Sequence, residues 1–182
     1  MKIIGFVYTT ERVEMVLKGD SCLLNGGKPL FLPDWTSELG VTECMILRVS
    51  RLGKEIDERF ANRYYDAVAP GADFVALDIL REAQANGQPW TTALAFDYSL
   101  AIGKWINVQR DNVQGTKDKG QRTKEEFVMT PEEAVAAASK VMTIRQGDLI
   151  YIHKKHTPRV VHKEDIIRTE ANGEEKLYCK IK

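Results

Sequence analysis

The sequence predicts an α+β fold made mainly of sheet. Three observations predict it. Apolar or alternating runs of strand length recur between turn residues, as in KIIGFVY, VTECMILRV, ADFVA and LIYIH. Segments with a helical period are few and short. One of them opens with Thr130-Pro131-Glu132-Glu133, an N-terminal capping signature. A chain of 182 residues suits one domain with its own core, here 1–182.

The elements follow in order. Residues 2–8 read as a first strand and 11–16 only as a link. The run 17–24 leads into Asn25-Gly26-Gly27-Lys28 and then PLFLP, a hairpin around an Asn-Gly-Gly turn. After a polar connection, Val41 to Val49 alternates. Val41, Glu43, Met45, Leu47 and Val49 point one way; Thr42, Cys44, Ile46 and Arg48 point the other. Gly53 turns the chain. Asp57 caps a helix running to about Ala67, with Phe60, Tyr64 and Val68 on one face, and Pro70-Gly71 ends it. Ala72 to Ala76 is a short strand. Asp78 caps a second helix, Ile79 to Ala85, stopped by Gly87 and Pro89.

Residues 94–108 read as strand, and 109–126 as a solvated loop or ragged hairpin. Acidic residues interrupt the lysines of that stretch and no aromatics interleave, so it is no nucleic-acid surface. Thr130 is then an N-cap, with Pro131 at the first helical position and Glu133 closing a capping box. The helix buries Ala134, Val135, Ala138, Val141 and Met142. The strand LIYIH follows, then a basic segment, then strands 165–168 and 176–181 around Asn172-Gly173.

Composition narrows the function classes. Apolar residues make up 43% and charged residues 29%, an ordinary globular balance. The 26 basic and 26 acidic residues cancel, so no net field attracts nucleic acid or a membrane surface. No apolar run approaches the roughly 20 residues of a membrane span. MKIIGFVY reads as a strand, not a signal peptide. Three scattered cysteines, Cys22, Cys44 and Cys179, suit a reducing cytoplasm and buried thiols.

The run SRLGKEIDERFANRYYDAVAPGADFVALD, followed by QPWTTALAFDYS, resembles the fumarylacetoacetate hydrolase family. GDSCLLNGGKPLFLPDW and TIRQGDLIYI fall in the family's order as well. The resemblance covers most of the chain. It implies a mixed β-sandwich roll with a few short helices, a homodimer, and hydrolases, isomerases or decarboxylases of acylpyruvate-like and 2-oxo-dioic acids. Such enzymes hold Mg2+, Mn2+ or Ca2+ with a Glu-x-Glu on one strand and an Asp on another. The cation polarises a carbonyl and stabilises an enolate.

Asp73, in GADF, matches the metal-binding aspartate. Counted back from Arg51-Leu52-Gly53-Lys54, the two glutamates fall on Thr42 and Cys44. Glu43 between them faces the other way. Leu77 stands for an arginine, Val75 for a hydroxyl residue and Leu94 for a lysine, while Asp78 and Lys18 remain. No counterpart of the family's histidine segment lies between Ile4 and Lys18, and HKKH replaces a Gly-Thr-Pro loop.

The pocket is therefore expected to be lined by Lys18, Thr42, Cys44, Asp73 and Asp78, with Asp73 a vestigial ligand and no resident cofactor. A reactive Cys44 would need nearby cations such as Lys18. The expected function is a degenerate family member that binds a small organic acid through Lys18 or partners an active relative. An alternative is an active enzyme in which a bulge brings Glu43 or Glu38 to Asp73 around Mg2+, Mn2+ or Ca2+. A third is an interaction surface at Lys154, Lys155, Arg159 and Lys163, with His153, His156 and His162 as surface histidines.

Overall fold

The computed structural model of the chain describes residues 1–9, 12–108, 126–171 and 173–182. The first strand, β1 (Ile3–Tyr8), turns back antiparallel into β2 (Val13–Lys18), with Ile3 opposite Lys18. The N-terminal hairpin is thus formed here, and not across Asn25-Gly26-Gly27. That turn exists, with Gly26 at φ 73° and Gly27 at φ 68°. Its flanks separate: β3 (Leu23–Leu24) pairs parallel with β6 (Leu100–Ile102), and Leu30 bridges Ile181. Two apolar runs around a glycine turn make a hairpin only if nothing else competes for their edges. Here two distant strands do.

The alternating run becomes β4 (Leu39–Val49), antiparallel along its length to β5 (Tyr65–Ala76). Asp57 caps α1 as expected, accepting from Arg59 N at 3.1 Å. The helix is one turn only, α1 (Glu58–Ala61), and Phe60 is exposed. The sheet then takes the chain straight through Pro70-Gly71. Proline is tolerated because Pro70 sits between two partners on that side. β6 covers Gly71–Asp73, and β7 (Ile106–Asn107) covers Ala67–Val68.

α2 (Leu77–Ala85) and the single turn α3 (Thr91–Leu94) follow, so residues 94–108 are strand only in part. Thr130 and Glu133 form the capping box of α4 (Pro131–Val141), at 2.8 and 3.2 Å. Ala134, Val135, Ala136 and Ala138 are buried, whereas Val141, the last helical residue, is 60% exposed. β8 (Leu149–His153) lies between β1, parallel, and β4, antiparallel. β9 (Arg159–Val160) pairs with the start of β4, and β10 (Ile166–Ala171) with β11 (Glu174–Lys180) in a separate ribbon. Gly173 supplies the left-handed turn residue there, at φ 75°. The stretch 109–125, residues 10 and 11, and residue 172 lie outside the described residues.

The fold is therefore α+β and mainly sheet, with a mixed path β2-β1-β8-β4-β5-β6-β3. Strand alternation divides its side chains between two cores. Ile4, Phe6, Leu47, Val49, Ile150 and Ile152 pack against α4. Ile3, Val7, Cys44, Ile46, Leu149 and Tyr151 pack on the opposite face. Thr42, Asp73 and His153 fall in step with that second face, and the candidate site is built there.

Candidate functional site

Thr42 and Asp73 are direct cross-strand partners on β4 and β5, and Cys44 opposes His153 of β8. The period-two geometry of three adjacent strands thus puts four side chains on one face. β2 adds a fifth from the edge of the hairpin. Lys18 Nζ donates to Asp73 Oδ1 at 2.5 Å, to Ser99 Oγ at 2.9 Å and to the Ser99 carbonyl at 3.3 Å. The lysine and aspartate side chains are 0% and 1% exposed. His153 Nε2 lies 2.8 Å from Asp73 Oδ2. The Tyr8 backbone N–H donates to His153 Nδ1 at 3.3 Å, so that nitrogen carries a lone pair and Nε2 carries the proton. Each carboxylate oxygen is therefore engaged from within the protein.

Electrostatics follow from this packing. Burial pushes the Asp73 carboxyl up, but the Lys18 charge and the His153 hydrogen bond outweigh it and hold the group below its ordinary value. Burial, then the Asp73 charge, pushes the Cys44 thiol well up. That is the opposite of an activated cysteine. Tyr151 is raised by the same two causes. Its ring lies where a Cβ at Gly5 would sit 2.1 Å away, so only glycine leaves room for it. Its hydroxyl is near Asp73 without reaching hydrogen-bonding geometry, and the buried Thr42 hydroxyl has no partner among the described residues.

Asp73 and His153 also line a cavity of about 330 Å³. Its walls are largely apolar, from Val75, Leu77, Leu80, Trp90, Leu94 and Val160, with Gln84 and Thr157 among the polar residues that line it. At its exposed side Arg81 grips Glu38 through two hydrogen bonds, of 3.0 and 2.5 Å. Lys18, Thr42 and Cys44 adjoin Asp73 but do not line the cavity. Asp78 belongs elsewhere. It accepts from the Thr36 hydroxyl at 2.5 Å, from Ser37 N and Oγ at 2.8 Å each, and from Ile79 N at 2.9 Å. These bonds outweigh its partial burial and hold its carboxyl far below the ordinary value, so Asp78 ties a loop to α2.

His153 is buried and bonded to Asp73, a correction to its reading as a surface histidine. His156 and His162 are exposed as expected. Two cations of the basic segment are ion-paired: Lys154 with Glu43 at 2.5 Å and Glu126 at 2.9 Å, and Arg159 with Asp165 at 3.7 Å. Glu43 therefore points away from Asp73. The β4–β5 register shifts only between Arg48 and Val49, so no bulge turns Glu43 round. Glu38 shares the cavity with Asp73 but is spent on Arg81.

The donor set decides whether a hard dication fits. Mg2+ or Ca2+ asks for six or more oxygen ligands, with carboxylates among them. Around Asp73 stand an ammonium, an imidazole, a hydroxyl and a thiol. Among the described residues no three His, Cys, Asp or Glu side chains are placed to hold a metal. These residues do not fit the cation.

A mixed β roll whose central strands carry a buried aspartate at the foot of an apolar cavity defines a scaffold class. The chain belongs to the fumarylacetoacetate hydrolase family: the family's sequence model, described as fumarylacetoacetate (FAA) hydrolase C-terminal, matches residues 8–181. Among curated relatives, the mitochondrial oxaloacetate tautomerase FAHD1 of Mus musculus is 22% identical over 178 residues, spanning 92% of this chain and 80% of the relative. The protein of that name from Arabidopsis thaliana is 26% identical over 145 residues, 74% of this chain and 64% of the relative. Among solved structures, a fumarylpyruvate hydrolase from Pseudomonas aeruginosa in complex with Mn2+ and pyruvate superposes with a TM-score of 0.78 at 17% identity. The match covers 99% of this chain and 88% of that one. A 5-carboxymethyl-2-hydroxymuconate delta-isomerase from Mycobacterium smegmatis gives 0.75 at 16% identity, over 99% and 78%. Among the described residues no helix is long and apolar enough to cross a membrane.

Proposed function

We propose that this chain is a family member that binds a small molecule in the cavity without divalent-cation catalysis. One observation carries the reading: both oxygens of Asp73 are committed, to Lys18 and to His153, while Thr42 and Cys44 stand on the facing strand where further carboxylates would be needed. A cation entering here would have to displace a buried ammonium and would find one carboxylate. The polarised carbonyl and stabilised enolate of metal-assisted chemistry then have no source.

The test is turnover by the pure protein, with oxaloacetate and fumarylpyruvate as substrates, in the presence and absence of Mg2+, Mn2+ or Ca2+. The expected result is no metal-dependent rate above the buffer control. A Mn2+-dependent rate abolished by Asp73→Asn would overturn the reading and favour an active enzyme with a rearranged site. We propose further that the chain forms a homodimer. The exposed Phe31, Trp35 and Tyr98 are apolar surface that such a pairing would cover. Light scattering should then give about twice the 20.6 kDa of one chain.

A further inference from the structure

The foot of the cavity says which ligand it can take. The Lys18–Asp73 pair is neutral overall, and His153 carries its proton on the nitrogen that faces Asp73. Lys18 is fully buried and does not line the cavity. The donor of His153 is spent on Asp73, and the Arg81 fork is spent on Glu38. The hydroxyls beside Asp73 that are free among the described residues, those of Thr42 and Tyr151, do not line the cavity, so an incoming carboxylate meets the Asp73 carboxylate with the donors of Lys18 and His153 already spent. An ionised carboxylate has about four lone-pair sites, and two are used here. What remains is acceptor capacity at the bottom of apolar walls that include Trp90 and Leu94.

We propose that the cavity binds a neutral, mainly apolar alcohol or phenol, whose hydroxyl donates to Asp73 and whose body packs on the Trp90 wall. The ligand class is uncharged, unlike a small organic acid. This rests on the reading that Asp73 takes no cation. A hydroxyl bonded to a charged acceptor gains on a purely apolar ligand. A carboxylate in the same place loses on both, because its desolvation is not repaid.

The probes are 3-phenylpropan-1-ol, 3-phenylpropionate and n-propylbenzene, titrated into the full chain at neutral pH. Trp90 emission is the signal, and a Trp90→Phe control confirms its source against Trp35 and Trp105. The alcohol should bind about tenfold or more tighter than the acid, with propylbenzene between them. Leu80→Phe, which fills the wall from the half-buried face of α2, should weaken the alcohol about tenfold at an unchanged fold. The acid binding as tightly as the alcohol without metal, or no Trp90 response to the alcohol, overturns this inference alone. The acid binding only when Mn2+ is added overturns the metal-free reading beneath it. The wild-type ranking stands as a test even if the variant fails to fold.

Discussion

Replacing Lys18 by methionine tests whether the site is held by an internal ion pair. The change keeps the side chain's length and removes its charge. Asp73 is then left as a buried carboxylate with His153 as its remaining side-chain partner, and three contacts of the ammonium are lost. Breaking one partner of a buried pair costs about 3–5 kcal/mol, because the other charge stays uncompensated. For a domain of this size each kcal/mol moves the midpoint by roughly 2–4 °C, so Tm should fall by about 6–20 °C. Proton uptake at Asp73 would place the loss at the lower end. The partner change, Asp73→Leu, strands the ammonium in the same way. The double variant Lys18→Met/Asp73→Leu leaves no charge behind and should recover most of the stability. Urea unfolding at pH 7, followed by circular dichroism, closes the four-member cycle. The two single losses should exceed the double loss by about 2 kcal/mol or more. A Lys18→Met loss below about 1 kcal/mol, or single effects that simply add, would show that no internal ion pair holds the site.

Three other outcomes follow from the same geometry. The Asp73 carboxyl is lower in the folded chain than in the unfolded one, where an aspartate titrates at about 3.9. Its stabilisation is therefore complete above that value and lost as pH falls through the folded one. Asp148, which burial raises but Lys2 and the Arg145 backbone hold down, acts in the same window. Melting curves from neutral to strongly acid pH should fall less steeply for Lys18→Met/Asp73→Leu than for wild type; parallel profiles would contradict this. All three cysteines are buried and free, and Cys44 is raised, so a thiol reagent at pH 8 should label none quickly in the native protein and all of them in denaturant. Fast native labelling of Cys44 would show that its environment is misread. Finally, Lys18→Met/Thr42→Glu/Cys44→Glu/His153→Gly should gain Mn2+ binding by calorimetry. It removes the ammonium and the imidazole bonded to Asp73 and places two carboxylates beside it. A folded variant with no binding heat would show that more than the donor set is missing.

The strand period alone was enough to put Thr42 and Cys44 on the face of Asp73 and Glu43 on the other. It depends only on alternation and on the register from Gly53, both local to the chain. The capping box of α4 was legible for the same reason. Other features depended on partners far away in sequence. β2 is mostly half-exposed, with a weak alternation, and is fixed by pairing with β1. Pro70-Gly71 reads as a breaker, yet β5 passes through it because neither β6 nor β7 pairs with Pro70, whose carbonyl still accepts from Gly103 N at 2.9 Å. Asp78 kept its identity but serves the loop at Thr36 and Ser37, contacts no local pattern predicts. His153 was hidden by the lysines after it. The available signal was the period of β8: Leu149, Tyr151 and His153 share one face, and the first two are plainly core.

With both oxygens engaged by Lys18 and His153, Asp73 is expected to take no cation. Electron paramagnetic resonance of Mn2+ titrated into the pure protein tests it most directly, because only free Mn2+ gives the sharp six-line signal. The signal should rise with added Mn2+ as it does in buffer, in wild type and Asp73→Asn alike. Stoichiometric loss of that signal in wild type, restored by Asp73→Asn, would contradict it.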